Sequence, residues 1–190
     1  MTDALLEQIV ERTLRFEGST QWMYRDDSPR GVVTCGAGHA LFTAEAALLL
    51  PWRAGTQPAQ ATQVRSDYLT VQSAPGGHTA GHYELLTTCR LATADILDLC
   101  RSDIVGRMNV VRDHFLPGLD SLPDGAQAAI ADLAMNLGPY FLSLWPKRYA
   151  AIKASDWAEA AAQSHRAPPI SSERNTEIAQ LFLGAINAEG

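Results

Sequence analysis

The chain is poor in cysteine and has no long apolar run. Its 190 residues include three cysteines, an odd number that cannot all pair with one another. Cys89 and Cys100 would lie ~16 Å apart on a single helix, too far for a disulfide. Reduced thiols in a protein made in the cytoplasm are therefore expected. No segment has the length and hydrophobicity of a transmembrane helix, so no membrane partner is expected.

Positive charge is also scarce. The 15 lysines and arginines stand against 21 aspartates and glutamates, for a net charge of −6, which argues against a nucleic-acid partner. His78, His82 and Cys89 match no common zinc spacing, so neither a metal nor a cofactor is expected. A covalent role for Cys35 would need an activating base, and His39 is the near candidate in sequence.

What the chain does contain is helical patterning. Its length of 190 residues predicts a single domain, or two lobes around one cleft, and 46% hydrophobic residues are enough for a core. Apolar residues at helical spacing predict a fold that is α+β and mostly α. The predicted helices cover residues 2–16, 93–115 and 123–138, a short segment capped by Ser155 or Asp156, and a last segment that opens at residues 171–175.

A carboxylate stands at the end of the first predicted helix. Gly18 suits the left-handed residue that terminates a helix, which places Glu17 in the last turn. The helix dipole there disfavours a negative charge, and the neighbouring Phe16 would remove water. Both effects favour the protonated form of Glu17, which a general acid needs.

A second carboxylate follows in a turn. Residues 26–31 are dense in turn formers, so Asp26 is expected to be exposed, ionised and able to activate a water. Val32, Val33 and Thr34 favour a strand, which predicts a small hairpin around the turn. Two carboxylates held apart in this way are what glycosidic-bond cleavage requires.

The motif resembles the tailed-phage lysozymes, the endolysin muramidases of glycoside hydrolase family 24. Their signature of Glu-Gly, Tyr-x-Asp and Thr-x-Gly-x-Gly-His stands here as Glu17-Gly18, Tyr24-Arg25-Asp26 and Thr34-Cys35-Gly36-Ala37-Gly38-His39. The resemblance implies that Glu17 is the catalytic acid. It implies that Asp26 assists the water or stabilises positive charge, and that Thr34 positions the water. The Asp-to-Thr interval is longer here than in the family, which keeps Asp27 as the alternative catalytic aspartate.

The resemblance also implies supporting residues. Asp103 in the long helix would pair with His39, unless it is an ordinary solvated residue. Arg174 would pair with Glu17 and oppose the effect of the helix dipole, and the sequence leaves open which effect prevails. The residues implied to bind substrate are Met135, Asn136, Ser143 and Gln163. For Met135, a place in the core is an equal alternative.

The expected architecture is lysozyme-like. The resemblance implies a small N-terminal β-hairpin lobe and a larger helical lobe, joined by the long helix with the active-site cleft between them. Residues 1–42 would hold the first helix and the hairpin, and residues 93–190 the linking helix and helical lobe. Residues 43–92 are interpreted as an inserted, loop-rich region with little regular structure that rims the cleft.

The expected activity is hydrolysis of peptidoglycan by a monomeric muramidase. Carboxyls ~6.5–9.5 Å apart would predict inversion, and ~5 Å would predict retention. A lytic transglycosylase and a non-catalytic domain that binds glycan or a partner are the alternatives. The N-terminus lacks the pattern of a secretory signal, so delivery to the periplasm by a phage holin or a secretion machine is expected. An immunity protein or a component of that machine is a further expected partner.

Overall fold

The computed structural model describes residues 1–26 and 31–186. The fold is α+β and mostly α, with small antiparallel sheets. The chain divides into two compact units. Residues 1–16 and 101–190 form one, called here the helical unit, and residues 17–100 form the other, called the hairpin unit. None of the helices in the described ranges is both long enough and apolar enough to cross a membrane.

The elements are numbered in chain order. The helices are α1 (Asp3–Glu17), α2 (Ala44–Leu48), α3 (Ala61–Ser73), α4 (Ala80–Glu84), α5 (Thr93–His114), α6 (Asp124–Leu137), α7 (Phe141–Leu144), α8 (Pro146–Lys153), α9 (Trp157–Ala162) and α10 (Ser172–Ile186). The strands are β1 (Thr20–Arg25), β2 (Val33–Gly36), β3 (His39–Leu41), β4 (Arg53–Ala54), β5 (Gln57–Pro58) and β6 (Cys89–Arg90). A short 3-10 helix, Leu119–Ser121, lies between α5 and α6.

The helices predicted from apolar spacing are confirmed. The Thr2 hydroxyl accepts a hydrogen bond from the Leu5 backbone N–H at the start of α1 (3.2 Å). Asp156 caps α9 by accepting from the Glu159 backbone N–H (3.0 Å). The apolar stripe of α5 is buried at Ile96, Cys100, Ile104, Met108 and Val111. A cap marks where a helix begins, and the apolar stripe marks the face that the helix buries.

Helix α6 is the centre of the helical unit. Every residue from Ala126 to Ala134 is buried, which fits an alanine-rich helix enclosed on all sides. It packs closely on α10, where a Cβ at Gly125 would lie 2.5 Å from the carbonyl oxygen of Leu181. Glycine is therefore required for this approach. Trp157 and Phe182 stack with ring centroids 6.3 Å apart and connect α9 to α10.

The predicted hairpin is confirmed in the hairpin unit. Strands β1, β2 and β3 form an antiparallel sheet in that order. Tyr24 is opposite Thr34, and Arg25 is opposite Val33, while the pairing is irregular between Thr20 and Tyr24. Its buried apolar residues are Met23, Val33, Cys35 and Leu41.

The prediction that residues 43–92 have little regular structure is wrong. The segment contains α2, α3, α4 and a second antiparallel sheet in the order β5-β4-β6. The run from Ala54 to Thr62 has a composition that predicts a loop. It instead forms the β4–β5 turn, with Gly55 at φ +62°, and then the start of α3. Gln60 and Gln63 form a capping box there, which satisfies backbone donors that the composition does not reveal.

This segment also packs against the hairpin. The Trp22 indole N–H donates to the Ala80 carbonyl (2.8 Å), and the Leu91 backbone N–H donates to the Gln21 carbonyl (2.7 Å). The buried Asp67 carboxylate accepts from the backbone N–H groups of Thr88 (2.8 Å) and Cys89 (2.7 Å). These bonds organise the segment into the core of the hairpin unit, a long-range effect that composition cannot show.

Cys89 gives this core a pH dependence. Burial, reinforced by the hydrogen bond and negative charge of Asp67, raises the pKa of the Cys89 thiol from 9.0 to about 11. Because the folded state holds this proton more tightly, its contribution to stability is intact below pH 9 and is lost as the pH rises through about 11. We expect the free energy of unfolding, measured with urea, to fall more steeply between these values in the wild type than in Cys89→Ala. Equal slopes would contradict the prediction.

Candidate active site

Glu17 occupies its predicted position. It is the last residue of α1, it is half-buried, and Gly18 follows in the left-handed region at φ +78°. Glu17 therefore stands at the C-terminal end of a helix, directly before the chain turns towards β1. The helix ends where the sequence predicts, because glycine adopts this φ without strain.

Asp26 extends the β1–β2 pairing by one residue beyond Arg25 and Val33. Its backbone N–H donates to the Val32 carbonyl (3.0 Å), and its Oδ1 accepts from the Val32 backbone N–H (2.7 Å). The prediction that Asp26 is exposed is wrong: it is half-buried, because this pair of bonds holds the side chain against the backbone. The same bonds restrict the direction of the carboxylate.

Thr34 and Asp26 both donate a hydrogen bond to the Val32 carbonyl. The Thr34 hydroxyl donates to the Val32 oxygen (3.1 Å), the atom that also accepts from the Asp26 N–H. Thr34 as a whole residue is 4% exposed. With its proton directed to Val32, the hydroxyl oxygen presents lone pairs and can accept a hydrogen bond from a water. Asp26 and Thr34 thus form a local pair centred on Val32.

The remaining predicted catalytic and supporting residues of this part of the site are Asp27, His39 and Asp103. Asp27 lies outside the described residues. His39 is half-buried in β3, opposite Cys35 of β2. Asp103 lies in α5 and is half-buried. The pairing of His39 with Asp103 stays a prediction.

The predicted substrate-binding residues all lie in the helical unit. Met135 and Asn136 are half-buried near the end of α6, and the Asn136 side-chain oxygen accepts from Arg166 (3.2 Å). Ser143 is exposed, with its hydroxyl donating to the Tyr140 carbonyl (2.8 Å). The Gln163 amide donates to the Glu159 carboxylate (2.9 Å). Their contact with sugar stays a prediction.

Arg174 belongs to a buried ionic network that the sequence did not predict. Its Nε donates to the Asp132 carboxylate (2.9 Å), and Arg166 donates to the other oxygen of the same carboxylate (2.8 Å). Asn175 accepts from the Arg166 backbone N–H (3.1 Å). An acidic residue within the alanine-rich run of α6 is the one available signal for this network. The predicted pairing of Arg174 with Glu17 stays a prediction.

A third guanidinium, that of Arg148, is buried nearby in the same unit. It is 2% exposed and donates through Nε to the Gln163 carbonyl (2.8 Å). Burial, with a smaller contribution from the positive charge of Arg166, lowers the pKa of Arg148 to about 10. The interior of the helical unit therefore holds an excess of positive charge close to residues predicted to bind substrate.

The described residues also bear on metal binding. His78 and His82 stack with ring centroids 4.0 Å apart, while Cys89 is buried in the core described above. No group of three or more potential ligands of the histidine, cysteine, aspartate or glutamate type comes together within residues 1–26 and 31–186.

The chain matches no model of a protein family, and no curated protein matches it.

Proposed function

We propose that the protein is a peptidoglycan hydrolase with a lysozyme-like fold. As an N-acetylmuramidase, it would cleave the β-1,4 bond between N-acetylmuramic acid and N-acetylglucosamine. The observation that carries the proposal is the meeting of Asp26 and Thr34 at the Val32 carbonyl, on a hairpin that follows a helix ending at Glu17. The resemblance of this stretch to the phage lysozymes supports the same reaction.

Glu17 is the general acid in the proposed mechanism. Cleavage of a glycosidic bond needs a proton on the oxygen that leaves the sugar. In its protonated form, the Glu17 carboxyl at the end of α1 can supply that proton. The proton moves from the Glu17 carboxyl to the glycosidic oxygen as the bond to the anomeric carbon breaks.

Asp26 and Thr34 act on the other reactant, the water. The Thr34 oxygen accepts a hydrogen bond from the water. The Asp26 carboxylate either takes one proton from the water as it attacks or stabilises the positive charge on the sugar while that proton passes to solvent. One Asp26 oxygen is held by the Val32 N–H, which leaves lone pairs on the carboxylate for the water. Water then adds to the anomeric carbon and gives a new reducing end.

The proposed biological role is lysis of bacterial cell walls, as a phage endolysin or as a secreted antibacterial effector. A net charge of −6 means that anionic envelope polymers repel the protein at long range. At physiological salt this repulsion is screened within ~8 Å. Binding to the wall therefore depends on short-range contacts with the glycan.

The proposal is tested on purified peptidoglycan. The wild-type protein should release reducing ends and lower the turbidity of the suspension, whereas peptidoglycan incubated without protein should not change. Binding without any release of reducing ends would contradict the proposed reaction and favour a glycan-binding domain.

A further inference from the structure

Arg25, the last residue of β1, connects the catalytic hairpin to the end of α3. Its Nε donates to the Gly31 carbonyl (3.2 Å), and its Nη1 donates to the Ala74 carbonyl (2.7 Å). Hydrogen bonds from a charged donor are stronger than neutral ones, and the planar guanidinium fixes the directions of both. One side chain thus ties the end of β1, next to Asp26, and Gly31 to a third point in the unit, Ala74.

That third point is itself held in place. The Ala74 backbone N–H donates to the Thr70 carbonyl of α3 (3.0 Å). The next residue, Pro75, accepts through its carbonyl from the hydroxyl of Tyr83 (2.7 Å), whose side chain is buried in α4. The Arg25 guanidinium also lies against Gly76, where a Cβ would be 3.7 Å from Nε. Arg25 therefore anchors the hairpin to a fixed loop.

We propose that Arg25 is a positioning residue for the Asp26 carboxylate. Asp26 follows Arg25 directly in the chain, and the Asp26 side chain is bonded to Val32, the neighbour of Gly31. Asp26 is held by its chain bond to Arg25 and by its hydrogen bonds to Val32. If the Arg25 bonds are lost, both of these neighbours move with the end of the hairpin, and Asp26 moves with them. The inference rests on the proposed function, because it assigns Arg25 an effect on the hydrolytic step.

Gly31 provides a selective way to break this contact. It lies at φ +57°, and a Cβ there would collide with the Arg25 guanidinium, 2.8 Å from Cζ. Gly55 has nearly the same φ, +62°, but a Cβ there meets no atom within 4 Å. An alanine at either position carries the same type of backbone strain, so Gly55→Ala is a matched control for Gly31→Ala.

The test compares four variants by kcat and KM on soluble, uncross-linked peptidoglycan strands, at a temperature at which all are folded. We expect Gly31→Ala and Arg25→Ala each to lower kcat by about 10- to 100-fold with little change in KM, since a misplaced catalytic group can cost about that much. Gly55→Ala should keep the wild-type kcat. The double variant Arg25→Ala/Gly31→Ala should be no slower than Arg25→Ala, because the two changes remove the same contact between Arg25 and Gly31.

A purely structural role would give a different pattern. It would lower the melting temperature of Gly31→Ala and Arg25→Ala and leave kcat of the folded proteins unchanged, which would overturn the inference. Multiplicative losses in the double variant would overturn it too. If the wild type hydrolyses no peptidoglycan, the proposed function fails and the inference fails with it. An active wild type with unaffected variants refutes the positioning role alone.

Discussion

Replacing Glu17 with glutamine should lower the rate of peptidoglycan hydrolysis by about 10²- to 10⁴-fold, the usual contribution of a general acid. Glutamine has nearly the same shape but cannot give a proton to the glycosidic oxygen. Glu17 ends α1 and is half-buried, so an isosteric change there leaves the helix and the following Gly18 turn intact. Release of reducing ends measures the loss, and the thermal unfolding midpoint checks that the variant is folded.

The matched control is Glu11→Gln, on the same helix. Glu11 is exposed, and the substitution changes the net charge by the same amount. It should leave hydrolysis at the wild-type rate. If Glu17→Gln retains more than about a tenth of wild-type activity, general acid catalysis by Glu17 is refuted, because even the lower end of the expected effect is larger than that.

Removing the Asp132 carboxylate should give the largest loss of stability. We expect Asp132→Ala to lower the free energy of unfolding by about 3–5 kcal/mol, the range observed when one partner of a buried ion pair is removed. The side chain of Asp132 is 3% exposed, and those of Arg166 and Arg174 are 5% exposed. Two buried guanidinium groups would lose the carboxylate that they share.

Asp113→Ala is the control for this measurement. Asp113 also lies beside an arginine, at 3.4 Å from Arg112, but its side chain is 64% exposed. An exposed pair contributes about 0–1 kcal/mol, so this variant should unfold close to the wild-type urea concentration. Similar losses for both variants would show that the buried network contributes no more than a surface ion pair.

The local features of the fold were predictable from the sequence. Apolar spacing predicts the buried stripe of α5, and Gly18 marks the end of α1, because both signals act within a few residues of the chain. The turn formers between Asp26 and Gly31 predict the β1–β2 hairpin for the same reason. The candidate site is mostly local, since Asp26 and Thr34 reach Val32 within one hairpin.

The features that depend on distant contacts were not predictable. Residues 43–92 have the composition of a loop, yet Asp67 fixes Thr88 and Cys89 through hydrogen bonds across the segment. The burial of Arg166 is not visible either, because arginine is usually exposed and its partner Asp132 is far away in the chain. Half-burial of Asp26 follows from its bonds to Val32, which turn propensity alone does not include.

We propose that this chain hydrolyses the glycan of peptidoglycan with water as the nucleophile. The most direct measurement is mass spectrometry of the soluble fragments released by the wild type from purified peptidoglycan. We expect N-acetylmuramic acid at the reducing ends, each carrying the mass of one added water. Fragments with 1,6-anhydro ends would instead show transglycosylation, and the absence of any released fragment would contradict catalysis altogether.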